Sequence, residues 1–154
     1  MPPPKFEREF YIMKIKASAL AQQLFKTLVS VVFPTDQLND KGETVYATAK
    51  FVGHFRAVPV SDAQADMDKL KALRDAGDHV GMIGVEAKRV EQCFVGFEPV
   101  PGQEFPITDD NDQPLTNTPD NIKLLLNSRE VRDAVRKAFE TARSSDVLEK
   151  NLQK

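Results

Sequence analysis

The sequence has little of what most protein chemistry requires. Cys93 is its one cysteine, so no disulfide can form within the chain, and an intracellular setting is the expectation. The two histidines, His54 and His79, stand at no metal-ligand spacing, which argues against a closed zinc site. No run approaches the roughly 20 apolar residues that a membrane span needs. Met1-Pro-Pro-Pro is not a basic n-region and no apolar h-region follows, so no signal peptide is expected. An excess of one charge is missing too: 21 Lys and Arg stand against 23 Asp and Glu, for a net charge of -2. That balance gives no electrostatic reason to expect nucleic acid or an anionic membrane as a partner. No Ser-His-Asp or paired-carboxylate arrangement stands out, nor does any internal repeat.

What is present suits one globular domain. Apolar residues make up 41% of 154, and a chain of that length can bury roughly two thirds of its unfolded surface. The patterning predicts an α+β fold: a mainly helical domain with an amino-terminal antiparallel β-hairpin packed on several short helices. Residues 1–25 form an arm, loose over its first nine residues, with a short helix over Ala17–Phe25. The domain spans 26–143, with the hairpin at 26–58, helices at 61–97, a loop at 98–118 and helices at 119–143. Residues 144–154 are a polar tail or a frayed helix.

Thr27 to Phe33 is a β-branched run closed by Pro34. Glu43 to Arg56 alternates: Val45, Ala47, Ala49, Phe51 and Phe55 share one face, with Gly53 between them, and Tyr46, Thr48, Lys50, Val52, His54 and Arg56 share the other. Ser61-Asp-Ala-Gln64 reads as a capping box opening a helix whose C-cap is Gly77. His79 to Phe97 carries the longest stripe, Val80, Ile83, Ala87, Val90, Phe94 and Phe97, at helical steps of three and four. The two helices should form a hairpin. Phe105-Pro-Ile107 is a strand fragment at most. Thr118-Pro119 and Ser128 start the last two helices.

Each polar group has a plain reading beside a functional one. His54 belongs on the wet face of a strand and His79 at a helix start. Cys93 beside the apolar stripe reads as a buried structural thiol. Asp109-Asp-Asn-Asp112 fails the spacing of a calcium loop and reads as an acidic turn. Gly81-Met-Ile-Gly84 lies in a helical pattern without the context of a phosphate loop, so no cofactor is expected.

Several stretches together resemble one family. They are Phe51-Val-Gly-His-Phe55-Arg56 ending the hairpin, Ser61-Asp-Ala-Gln64, and Val90-Glu-Gln-Cys-Phe-Val-Gly-Phe97. A turn rich in Pro and Asp follows, then Thr118-Pro-Asp-Asn-Ile122 and Val131-Arg-Asp-Ala-Val-Arg-Lys-Ala-Phe-Glu140. Over about Lys26 to Arg143 the chain resembles the tail assembly chaperones of long, non-contractile phage tails. Phe97 stands where that family usually has tryptophan, and the first 25 residues have no counterpart in it. The resemblance implies a binding protein rather than an enzyme. It implies the tape measure protein as client, kept soluble before the tube surrounds it, and help in recruiting the major tail protein. It also implies residence in the host cell cytoplasm, absence from the mature virion, and in many members a frameshift-extended longer form. An amphipathic client helix would lie in an apolar groove, for which Met67, Leu70, Met82 and Phe139 are the candidate partner-binding residues. Ordinary core is the competing reading of Met67 and Leu70. The hairpin edge could instead pair one copy with another. The second functional reading is a tail-completion or head–tail connector protein retained in the virion.

Overall fold

The computed structural model describes residues 14–144, so the first part of the expected arm and the tail from residue 145 lie outside the described residues. Two long strands set the frame. Strand β1, Leu24–Leu38, and strand β2, Thr44–Arg56, pair antiparallel around an Asn39–Glu43 turn in which Gly42 takes φ 77°. The Asn39 side chain accepts the N–H groups of Lys41 and Glu43, each at 2.9 Å, and closes the turn. Strand β3, Phe94–Glu98, adds to β2, giving a three-stranded antiparallel sheet in the order β1-β2-β3.

Four helices follow or cover these strands: α1, Val60–Asp75; α2, His79–Cys93; α3, Pro119–Leu126; and α4, Arg129–Ala142. Helix α4 lies against β1, α2 touches β2 and β3, and α3 touches β3, so three helices share the sheet's inner face. Alternation along the strands points Val29, Val31, Phe51 and Phe55 into that layer, all fully buried, where they meet Val90, Phe94, Phe97, Leu125, Val131 and Val135. The α+β class is therefore the one expected, with a third strand.

That third strand corrects the longest predicted helix. The helix ends at Cys93, and Phe94 turns to φ -94° and ψ 103°. Val90, Phe94 and Phe97 do share helical spacing, but a short apolar run serves a doubly buried strand equally well. The pairing decides it: Gly53 lies opposite Phe97 and His54 opposite Gly96. A Cβ on Gly96 would stand 2.9 Å from His54 Nδ1 and 3.2 Å from the Asn117 side chain. Asn117 Oδ1 in turn accepts the Phe97 N–H at 3.2 Å, tying β3 to the loop before α3. Val80 and Ile83, the start of the predicted stripe, are exposed.

Smaller differences have local causes. The predicted helix over Ala17–Phe25 is a 3-10 turn over Ala17–Gln22 with no buried residue, so nothing holds a longer helix against the body, and Leu24 and Phe25 are recruited into β1. Pro34 does not close the first strand; the ladder resumes at Leu38 after a register shift, and Thr35 Oγ1 donates to the Val45 carbonyl across the irregular stretch at 2.6 Å. Phe105-Pro-Ile107 forms no strand, although Thr108 and Pro114 make an isolated bridge beside it.

The caps divide the same way. Thr118, Ser128 and Asp78 each accept a backbone N–H from the first turn of α3, α4 and α2. Gly77, at φ 71°, ends α1 with its N–H on the Arg74 carbonyl while the Asp78 N–H reaches Leu73. The Ser61 capping box does not form: α1 starts one residue earlier behind Pro59, without a side-chain cap, and Gln64 bonds Asp68 instead. Asp78→Ala should therefore lower unfolding free energy by about 1 kcal/mol, while Ser61→Ala should stay within about 0.5 kcal/mol, in urea titrations of the two variants.

Candidate functional site

Two helices present matching faces. On α2, Glu86, Arg89, Val90 and Cys93 fall at i, i+3, i+4 and i+7; on α4 and its C-cap, Arg136, Phe139, Glu140 and Arg143 repeat the same spacing. Residues so spaced line one side of a helix. Val58, in the connection leaving β2, and Val60 and Ala63, in the first turn of α1, come to the same place, and the three segments enclose an open groove of about 350 Å³. Its floor is Val58, Val90, Cys93 and Phe139, and Val60 stands at its mouth, 87% exposed.

Charge gathers at the rim. Arg89, Arg136 and Arg143 line the groove with Glu86 and Glu140, an excess of one positive charge. Arg89 reaches Asp66 of α1 at 3.8 Å and Arg136 reaches Asp133 at 3.7 Å, both long contacts. Pairs this long at the surface contribute about 0–1 kcal/mol, so these guanidinium groups are cheaply redirected towards a partner's carboxylate. Arg143 stands 5.8 Å above the Phe139 ring, where the cation meets the face of the aromatic.

Cys93 supplies no nucleophile there. Burial pushes its thiol up to about 11, so it is neutral at physiological pH, and its Sγ–H donates to the Val90 carbonyl at 3.4 Å. The groove can take apolar side chains on its floor and hydrogen-bond carboxylates at its rim. No group of three or more His, Cys, Asp and Glu among the described residues is placed to hold a metal ion.

Of the four residues chosen from sequence, the structure places one in the groove. Phe139 is half-buried, with its ring 5.7 Å from Phe25 and 5.8 Å from Phe55, and its remaining face lines the opening. Leu70 is the buried residue of α1, so the core reading holds for it. Met67 is exposed on α1 at 55%, which excludes core for it, and Met82 is half-buried near the start of α2; neither lines the groove. Helices α1 and α2 form the expected hairpin, and a Cβ on Gly81 would touch the Leu73 side chain at 2.9 Å. The rim arginines and Val60 are the residues that sequence reasoning passed over. The paired i, i+3, i+4, i+7 spacing on α2 and α4 was the available signal.

The remaining polar groups take structural roles. His54 and Lys26 sit on the sheet's outer face beside Glu98, Lys26 donating to one carboxylate oxygen at 3.1 Å. His54 Nε2 lies 3.3 Å from the other oxygen. The Lys26 hydrogen bond holds the Glu98 carboxyl below its ordinary value. Asp109 accepts the Asn111 and Gln113 N–H groups at 2.8 and 3.0 Å, a self-contained turn. No helix among the described residues is long and apolar enough to cross a membrane. The chain matches no protein-family model, no curated protein sequence and no solved structure.

Proposed function

We propose that this chain is a binding protein without catalytic chemistry: a tail assembly chaperone of long, non-contractile phage tails. In this reading it acts in the host cell cytoplasm, holds apolar stripes of the tape measure protein, keeps it soluble, and helps recruit the major tail protein. The observation that carries the reading is the groove between α2, α4 and the start of α1, with an apolar floor and an arginine-bearing rim. An amphipathic helix seats its apolar face in such a groove and sets its register by charge. The motifs at Phe51–Arg56, Val90–Phe97 and Val131–Glu140 supply the resemblance to that family. A shallow, open site suits reversible holding, because polymerising tube must displace the chaperone.

One observation favours the second reading, a tail-completion or head–tail connector protein kept in the virion. The far end of the β1–β2 hairpin, from Pro34 to Ala47, has no fully buried residue and projects as an arm suited to a permanent neighbour. Purified particles separate the two: a chaperone is absent from them and a connector is present.

Co-expression with the tape measure protein tests the main reading. The client should move into the soluble fraction and co-elute with this chain. Val60→Asp and Arg143→Glu should each weaken capture by about tenfold or more, equivalent to about 1.4 kcal/mol, without unfolding the domain. Val60 is nearly fully exposed, so its loss leaves the core intact. A client that stays insoluble beside the unaltered chain contradicts the function; capture indifferent to both variants contradicts the groove.

A further inference from the structure

The groove does not stop at Arg136. A second cavity of about 350 Å³ opens between α2 and α4 nearer their amino-terminal ends. It shares Glu86, Val90 and Arg136 with the first and adds Ile83, Ala87, Arg129 and Arg132, so the two form one channel along both helices. Ile83 and Arg129 line one end of it, Cys93 and Arg143 the other. At about 1.5 Å per residue, the stretch from Ile83 to Cys93 is about 15 Å long and that from Arg129 to Arg143 about 21 Å, room for about three to four helical turns. Apolar surface is offered at both ends, by Ile83 and by Val60, each exposed.

The two walls differ in charge. The α4 wall carries Arg129, Arg132, Arg136 and Arg143 against Asp133 and Glu140, whereas the α2 wall balances Arg89 with Glu86. The four arginines fall at i, i+3, i+7 and i+14, so they stand in one row. That row is positive in a chain whose net charge is -2. Arg129 and Arg136 share one carboxylate, that of Asp133, at 3.8 and 3.7 Å. Arg132 and Arg143 make no ion pair among the described residues.

We propose that the helix held in this channel is acidic along one flank of its apolar stripe, with that flank turned towards α4. The inference rests on the groove as a helix-holding site and adds the chemistry of what it holds. Carboxylates spaced by one and two turns on the occupant meet the arginines in turn, and a guanidinium matches a carboxylate in a bidentate pair. A basic flank is repelled, so the row selects among amphipathic helices. It also fixes direction, because reversing the occupant end for end moves its acidic flank to the balanced α2 wall. The segments of this chain outside the described residues do not offer the match. Residues 1–13 set Lys5 and Arg8 against Glu7 and Glu9, and residues 145–154 set Asp146 and Glu149 against Lys150 and Lys154. A helix of another protein is the occupant that the charge fits.

Three synthetic helices of about 18 residues with the same apolar stripe, bearing Glu, Gln or Lys along a single flank, test this by fluorescence anisotropy with the full chain. At low salt the Glu helix should bind about tenfold or more tighter than the Gln helix, and the Lys helix more weakly than either. The spread should narrow in about 0.5 M salt. Arg129→Glu/Arg136→Glu alters side chains 84% and 49% exposed and should reverse the order; a gain for the Lys helix cannot come from misfolding. Equal affinity for the three helices overturns the proposal, and so does an order unchanged in the variant. Duplex DNA that displaces the Glu helix at equal charge concentration overturns it in favour of a general polyanion site. Self-association in sedimentation that blocks the Glu helix overturns it in favour of a second copy. Binding of none of the helices overturns it together with the groove as a helix site. A chain that ranks the helices as expected but leaves the tape measure protein insoluble bears out the acidic flank and contradicts only that client.

Discussion

Replacing Phe55 with alanine is expected to destabilise the domain by about 3–5 kcal/mol, among the largest single effects the structure carries. The ring is fully buried. It stacks on Phe25 at 5.5 Å and 18°, and meets Phe94 at 5.7 Å and Phe139 at 5.8 Å. Those partners belong to β1, the start of β3 and α4, so one side chain joins both sheet edges to the helical layer. Truncation removes transfer free energy and leaves a cavity that three aromatic rings cannot close without shifting. Domains of this size hold about 5–15 kcal/mol in total, so the variant would lose a large share of it. Urea unfolding reads this as a lower midpoint at unchanged slope. A loss below about 1 kcal/mol would mean that the ring cluster repacks freely and is not the keystone described.

Gly53→Ala is expected to cost about 1–3 kcal/mol, opposite in sign to the usual effect of alanine for glycine within a strand. A Cβ there would stand 2.6 and 2.9 Å from Phe55 ring carbons and 3.0 Å from Val29 Cγ2. Both neighbours are fully buried, so neither can swing into solvent. The Phe97 of β3 lies directly opposite, which limits relaxation from that side as well. Gly84→Ala is the matched control. It lies inside α2 with nothing within 4 Å of a new Cβ, so it should stabilise by up to about 1 kcal/mol through helix propensity. Denaturation of the two variants side by side should move their midpoints in opposite directions. Two shifts of the same sign would contradict the packing at Gly53.

These two positions also show how far the sequence could be read. Alternation identified the buried face of β2 over Ala49–Phe55, because a strand with one wet side writes its register into every second residue; on the same face Ala47 is exposed and Val45 half-buried, since no helix among the described residues covers that end of the hairpin. Thr118-Pro119 and Ser128 located two helix starts for a local chemical reason: a hydroxyl within reach of the first unpaired amides. Phe94–Glu98 was misread because its signal is not local. Phe-Val-Gly-Phe continues a helical stripe on paper, and only the close approach of β2 at Gly96 and Gly53 makes it a strand. The same limit applied to the site. Phe139 was recognisable from the stripe of α4, and the rim arginines stood at the right spacing. Val60 carries no local signal, because only the packing of the start of α1 brings it to the groove. The methionines were chosen for adaptability, a property of the residue type that says nothing about where it lies.

The proposed function places a client helix in the groove between α2, α4 and the start of α1. Hydrogen exchange of the chain, alone and with an excess of a tape measure segment, tests that most directly. Slower exchange is expected over 58–63, 86–93 and 136–143 on adding the segment, with β1 and β2 unchanged, and no slowing in Val60→Asp. Protection confined to β1 and β2, or protection of the groove that persists in Val60→Asp, would contradict it.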